Sequence, residues 1–439
     1  MTTAPLAVWT TRRGDCFLAA VIALTSFALL NIRGIDLTPD GWAYWQGAVS
    51  MVEGTGYRYF SGNPIVAWPP LYSLYLAAWI LVTGPTGLGL VIANALLISI
   101  QAWLWCYVLL TIWCDTGAEA GLPPRLVVAV YIGLFTASTQ QGVLADVLKY
   151  TLAPLLLLAT WKIHRNDALV SSRQGTALAA VAGSLALLAH NNGLALVGAS
   201  VVLIGTTRVP RRRRDAAIVA AIPLLVWAIV RRLMDQSGSH EIGVGVGHYA
   251  PAIYLLQLVR AAGSLLAPDQ YCLPFLAAGA GLVLATATLR QQAGNQALRF
   301  AAQFVGLGTA FTYALFNLVW VRDPIGERFL LFFPIILVPF WVLASARRHV
   351  SSFVACSLLI LLPVVYETGT AIWIRNTATR EELGFPEGFA PRAARVSSSY
   401  PRGSPREIGT GLLLAPMAWE ESKASQTGAY DGRLGQAPR

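Results

Sequence analysis

In residues 38–77, TPDGWAYWQGAVSMVEGTGYRYFSGNPIVAWPPLYSLYLA, Asp40, a rank of aromatics, Glu53 and Arg58 interrupt a chain that is otherwise apolar and poor in acids. Further ionisable groups recur downstream. They are Asp146 with Lys149, His190 beside Asn191 and Asn192, Arg231 with Arg232, then His240, Glu241 and His248, and the segment RDPIGER at 322–328. Carboxylates and imidazoles take up protons, and cations hold anions. All are costly at membrane depth and are functional candidates by default. The spacing of His240, Glu241 and His248 matches no zinc-ligand rule, so these residues read as a solvated loop. GVGVG at 243–247 lacks a strand–helix context and a following Lys, so it is not a nucleotide cradle.

The elements that position these groups follow from composition. Of 439 residues, 55% are hydrophobic and 12% charged, about half the charge of a soluble chain. The apolar residues fall in runs of roughly 16–26, the length that crosses a hydrocarbon core. The runs are continuous rather than alternating, which excludes a β-barrel and gives an all-α polytopic membrane protein. The net charge of +10 comes mainly from short Arg clusters between runs, which reflects topology and anionic lipid rather than nucleic acid. Arg12 and Arg13 precede an apolar run with no small-x-small cleavage site, which reads as an uncleaved signal anchor. Five cysteines without CxxC spacing read as small hydrophobes.

Basic loops stay inside. Arg12/Arg13, the Lys162–Arg173 stretch, RVPRRRR at 208–214 and ARRH at 346–349 anchor the path. His190–Asn192 then sits at an outward turn between two short crossings, and 231–270 and 322–328 face outward. In the front half, parity fails if 69–83, 88–113, 125–142 and 147–161 all span. It is restored if 69–83 is an outer-surface or re-entrant helix; a non-spanning 147–161 is the alternative. About eleven crossings result, consistent with spans of this length. A transmembrane module over 1–375 is expected, with a first outer loop at 34–87 and an outer loop or lid at 231–270. A tail from 376, rich in Pro, Gly, Ser and Arg, is expected to be external and mostly disordered. On this topology nearly every unusual polar group faces one side, from Asp36 and Asp40 to Arg328.

Thr38 suits an N-cap, Pro39 the first helical position, and Asp40 the first turn. The helix runs to about Glu53 and stops at Gly54. Trp45, Val49 and Val52 form one stripe, and Tyr44, Ala48 and Met51 a neighbouring one, as in an interfacial helix. Alternatively, Asp40 only complements the helix dipole. Arg328 can snorkel to headgroups, and Lys149 can pair with Asp146 three positions earlier.

The pattern D-G-x-x-Y-x-x-x-A, then G-x-G-Y, then W-P-P-L-Y resembles the first outer loop of the GT-C membrane glycosyltransferases. It is similar in particular to the bacterial branch related to protein O-mannosyltransferases and lipid A aminoarabinose transferases. The residues are Asp40, Gly41, Tyr44, Ala48, Gly54, Gly56, Tyr57, Trp68, Pro69, Pro70, Leu71 and Tyr72. GERFLLFFPIIL at 326–337 is similar to the entry of a late helix in that family. The family carries an acidic pair near the first helix; here Asp36 and Asp40 lie four apart, and Asp40 fits the spacing to Tyr44.

The resemblance implies a GT-C-like bundle and an inverting transfer from a polyprenyl-phosphate sugar to a hydroxyl acceptor, a glycan or lipid, on the outer face of the plasma (inner) membrane. Asp40 would be the general base. Arg328, Lys149 and Arg58 would hold the donor phosphate, with Arg231, Arg232 and Arg322 behind them. Asp36, Tyr44, Tyr57, His190, Asn191, Asp146 and His248 would line the substrate site. No cofactor is assigned, and a divalent metal stays open. The absence of a nucleotide-sugar domain in the sequence favours a lipid-linked donor. The rival readings are an O-antigen-type ligase or polymerase, a lipid or glycan transporter, which would predict inverted repeats, and a non-catalytic scaffold.

Overall fold

Continuous apolar runs leave the backbone no partner but itself, so they fold as helices. The computed structural model describes residues 4–32, 36–37, 39–59, 62, 64–65, 68–117, 120–139, 142–143, 145–165, 169–206, 209–234, 250–266, 273–291, 295–318, 327–347 and 350–377. The tail from 378 and, within the 231–270 loop, residues 235–249 and 267–270 lie outside the described residues. Among the described residues there are fourteen α-helices. The front half holds α1 (Ala4–Leu30), α2 (Pro39–Val52), α3 (Leu71–Thr83), α4 (Gly87–Asp115), α5 (Leu122–Thr139), α6 (Ala145–Arg165) and α7 (Leu169–Ala189). The rear half holds α8 (Gly193–Gly205), α9 (Pro210–Met234), α10 (Pro251–Ser264), α11 (Leu273–Gln291), α12 (Gln296–Leu318), α13 (Phe332–Ser345) and α14 (Val350–Thr377). Two short strands, β1 (Asp36–Leu37) and β2 (Gly142–Val143), and a 3-10 turn at Glu327–Phe329 complete the described elements.

Five helices are long and apolar enough to cross a membrane unaided: Arg13–Leu30, Leu88–Asp115, Leu122–Thr139, Arg211–Met234 and Val350–Trp373. The others are shorter or more polar. With α2, α3 and α10 set aside, eleven helices remain, one for each expected crossing. α1 packs on α4 and α5, and α6 lies between α4, α7 and α8. α12 joins α8 to α13, and α14 closes on α5. Trp105, Trp113, Trp161 and Phe300 are among the largest fully buried side chains. Leu225 and Leu233 on α9, with Leu359 and Leu362 on α14, are exposed; in a bilayer such faces meet lipid.

α3 has 13 residues, about 20 Å of helix, the same length as α8, so its length alone does not separate it from the crossings and its place rests on its contacts. Tyr72 Oη donates to Asn94 Oδ1 at 2.7 Å and Tyr75 Oη to the Ala93 carbonyl at 2.6 Å, both in the first two turns of α4. α3 therefore stays beside the N-terminal end of α4. Pro69 and Pro70, which cannot continue a preceding helix, set its start, and Gly84 at φ 71° turns the chain into α4.

α2 differs from the two-stripe expectation. Described positions from Gly41 to Ser50 are buried all round, polar Gln46 and Ser50 included. The helix is packed between α3 and the strands rather than resting one face on lipid.

The α7–α8 turn depends on Gly193. A Cβ there would lie 2.6 Å from the Ala186 carbonyl oxygen, inside any van der Waals contact. Gly193→Ala is expected to cost about 1–3 kcal/mol, read as a lower thermal unfolding midpoint of the purified protein.

Candidate functional site

The first loop is fastened to the start of α6 by a parallel pairing of β1 with β2, Asp36 opposite Gly142 and Leu37 opposite Val143. α2, which begins two residues after β1, packs against both strands. The first helical turn containing Asp40 thus lies beside the N-terminal end of α6. The side chains of Asp36 and Asp40 lie outside the described residues.

Asp146 and Lys149 occupy the first turns of α6 and form an ion pair with each residue 1% exposed. The Lys149 ammonium lies 4.2 Å from the Tyr150 ring centroid and 6.0 Å from that of Phe329. Tyr150 Oη donates to the Arg328 carbonyl at 2.9 Å. The Arg328 guanidinium lies 4.8 Å over the Phe329 ring. From the α7–α8 turn, the His190 ring packs on Phe329 at 6.0 Å, and its Nδ1 accepts the Asn192 N–H at 3.1 Å. Asn192 Nδ2 reaches the Phe329 carbonyl at 3.5 Å. Three segments far apart in sequence are therefore tied at one end of the bundle.

Among the described side chains, cations outnumber carboxylates at this knot. Asp146 lies within electrostatic reach of Lys149, His190 and Arg328, and Lys149 also experiences Arg328. Among the described side chains, one carboxylate faces two permanent cations. That excess suits an anion, and guanidinium recognises phosphate through a fixed fork of donors. Beside the knot, Trp227 Nε1 donates to Asn191 Oδ1 at 3.2 Å, and Arg231 lies 5.4 Å over the Trp227 ring. A narrow cleft runs between these residues and Pro69 and Pro70 of the hinge.

The structure thus gathers Asp146, Lys149, His190, Asn191, Asn192 and Arg328, as the topology expects, with β1 and the start of α2 adjoining. It gives some candidates other duties. Lys149 is the helical partner of Asp146 rather than an open cation. Tyr44 is 1% exposed and packs edge-on to Tyr72 at 5.4 Å. Tyr57 braces the hinge, donating to the Trp68 carbonyl at 3.1 Å. Burial pushes its phenol pKa up, against a hydrogen bond with Ser73. A Cβ on Gly47 would meet the Tyr57 ring at 2.3 Å, so this contact needs glycine. Arg58 is exposed, and its Nη1 donates to the Gly62 carbonyl at 3.2 Å. His240, Glu241, His248, Arg322 and Asp323 lie outside the described residues, as does the Glu327 side chain. Sequence reasoning passed over Tyr150, Phe329 and Trp227. Their signals were adjacency to Lys149 and Arg328 and the four-residue spacing of Trp227 from Arg231.

Among the described residues no group of three or more His, Cys, Asp or Glu could hold a metal ion. The nearby donors, Asp146 and His190, are already engaged by Lys149 and by the Asn192 amide.

No protein family and no curated protein matches the chain by sequence. Solved structures do match. The crystal structure of ArnT from Cupriavidus metallidurans bound to undecaprenyl phosphate superposes with a TM-score of 0.58, covering 98% of this chain and 92% of that one at 15% identity. This chain shares the fold of that structure. At that identity the likeness speaks for the fold alone, an all-helical polytopic membrane architecture, and it agrees with the GT-C resemblance of the first-loop pattern in the sequence.

Removing one partner of a buried pair strands the other's charge. Asp146→Asn should destabilise by about 3–5 kcal/mol, whereas Asp146→Leu combined with Lys149→Met should recover most of that loss. Thermal unfolding of the three proteins in one detergent reads the difference.

Proposed function

We propose that this protein is an integral membrane glycosyltransferase that moves a sugar from a polyprenyl-phosphate donor to a hydroxyl acceptor, a glycan or lipid, at the outer face of the plasma (inner) membrane. The observation that carries the reading is the tie between the first turn of α2 and the cationic knot of α6 and the Glu327–Phe329 turn, within the ArnT fold. The solved ArnT was bound to undecaprenyl phosphate, and a prenyl phosphate is the class of leaving group a fixed guanidinium would stabilise.

In the proposed reaction the acceptor oxygen attacks the anomeric carbon and the bond from that carbon to the phosphate oxygen breaks. The electron pair leaves with the lipid phosphate, and the configuration inverts. Asp40 takes the hydroxyl proton as general base. Arg328 binds the phosphate as its charge grows, an interaction stronger in the transition state than in the ground state. Lys149, neutralised by Asp146, serves chiefly to hold Phe329 and its neighbour Arg328 in place. His190 and Asn192 brace the same turn from α7–α8. Arg58 takes no part in the reaction as written, and no step runs through a metal.

The test is turnover by purified protein offered polyprenyl-phosphate hexose, pentose and aminosugar donors. Asp40→Asn should lower kcat about 10²–10⁴-fold with an unchanged unfolding midpoint and retained lipid binding. Arg328→Ala should lower kcat and also weaken retention of the lipid phosphate. An Asp40→Asn rate near wild type would end the general-base assignment.

A further inference from the structure

At the opposite end of α6 lies a second, larger feature that the transfer reaction does not use. A polar cavity of about 530 Å³ opens between the ends of α4 and α6, lined by Cys114, Asp115, Gly117, Trp161, Lys162 and Arg165. Lys149 and Lys162 are 13 positions apart on one helix, so this cavity is about 20 Å from the knot, at the end where the basic loops are expected to face the cytoplasm.

Its side chains are arranged rather than merely scattered. Trp161 Nε1 donates to Asp115 Oδ2 at 3.1 Å. The same oxygen lies 3.9 Å from Arg165 Nη1, and the Arg165 guanidinium sits 5.9 Å from the Trp161 ring. Asp115 and Trp161 therefore fix where Arg165 stands, while the loose 3.9 Å contact leaves guanidinium donors for a further acceptor. Lys162 is exposed and has no partner among the described residues. Alongside, Arg347 lies 5.2 Å over the Trp113 ring. An exposed lysine, an arginine held in place with donors to spare, and a polar cavity between helices at the expected basic side match the chemistry that holds anionic headgroups.

We propose that this cavity is a binding site for the phosphodiester headgroup of an anionic phospholipid of the inner leaflet, with Lys162 and Arg165 as the phosphate contacts and Asp115 and Trp161 as positioning residues. The proposal stands apart from the sugar-transfer reading; either can fail without the other.

Cys114 lines the cavity and reports its occupancy. Full-length protein in maltoside detergent would be alkylated with a maleimide and the modification of Cys114 followed by peptide mass spectrometry. Phosphatidylglycerol, phosphatidylcholine or inorganic phosphate would be added in parallel. Phosphatidylglycerol is expected to slow alkylation about tenfold, given the attraction each Lys or Arg supplies near a lipid phosphate; phosphatidylcholine should have little effect. Lys162→Ala with Arg165→Ala should abolish that ratio. Arg213→Ala with Arg214→Ala, which removes two exposed charges outside the cavity, should keep it. Equal protection by phosphatidylcholine, or loss of protection in the Arg213/Arg214 pair, overturns the site. Equal protection by inorganic phosphate overturns its assignment to a lipid.

Discussion

A charge with no water around it must be answered by another charge within reach, and the ion pair of Asp146 and Lys149 is where that rule organises this protein. Both side chains are buried at the N-terminal end of α6. Neither is tolerable alone, because the effective cost of an isolated ion in such a place is several kcal/mol. The pair places a cation against the Phe329 ring, and the adjacent tyrosine grips the Arg328 carbonyl. The α7–α8 turn completes the enclosure through His190 and Asn192. The Glu327–Phe329 turn is thus held by contacts from α6 and from the α7–α8 turn.

Much of this was legible in the sequence, because charge and length are strong signals in a membrane chain. The basic stretches at 162–173 and 208–214 bound an apolar span split by His190-Asn191-Asn192-Gly193, which forced two short crossings and an outward turn; α7 and α8 meet there. Parity singled out 69–83, and α3 there is tied to the first turns of α4 through Tyr72 and Tyr75. The convergence of Asp146, His190 and Arg328 followed from the same bookkeeping of sides.

What stayed hidden has physical reasons too. Two-residue strands have no period, so the β1–β2 pairing left no trace in the pattern. Tyr150 and Trp227 differ from neighbouring aromatics only by where one hydroxyl or one indole N–H points, which packing decides. α2 carries a stripe that fits lipid and protein equally well, and its burial depends on elements distant in sequence. Lys149 and Asp146 had the spacing of a helical pair from the start. The competing role could be weighed only once the ammonium was seen fully enclosed.

The lengths of the helices around the knot carry one more consequence. α8 has 13 residues and α13 has 14, each about 20 Å along its axis. Each runs from the knot towards a basic stretch of the chain, and the stretch from Lys149 to Lys162 has the same reach. A lipid hydrocarbon layer is ~30 Å thick, and spans shorter than that are met by local thinning of the bilayer around them. On the proposed function, a prenyl phosphate would then meet the knot where the leaflet is thinnest, its tail still in the lipid.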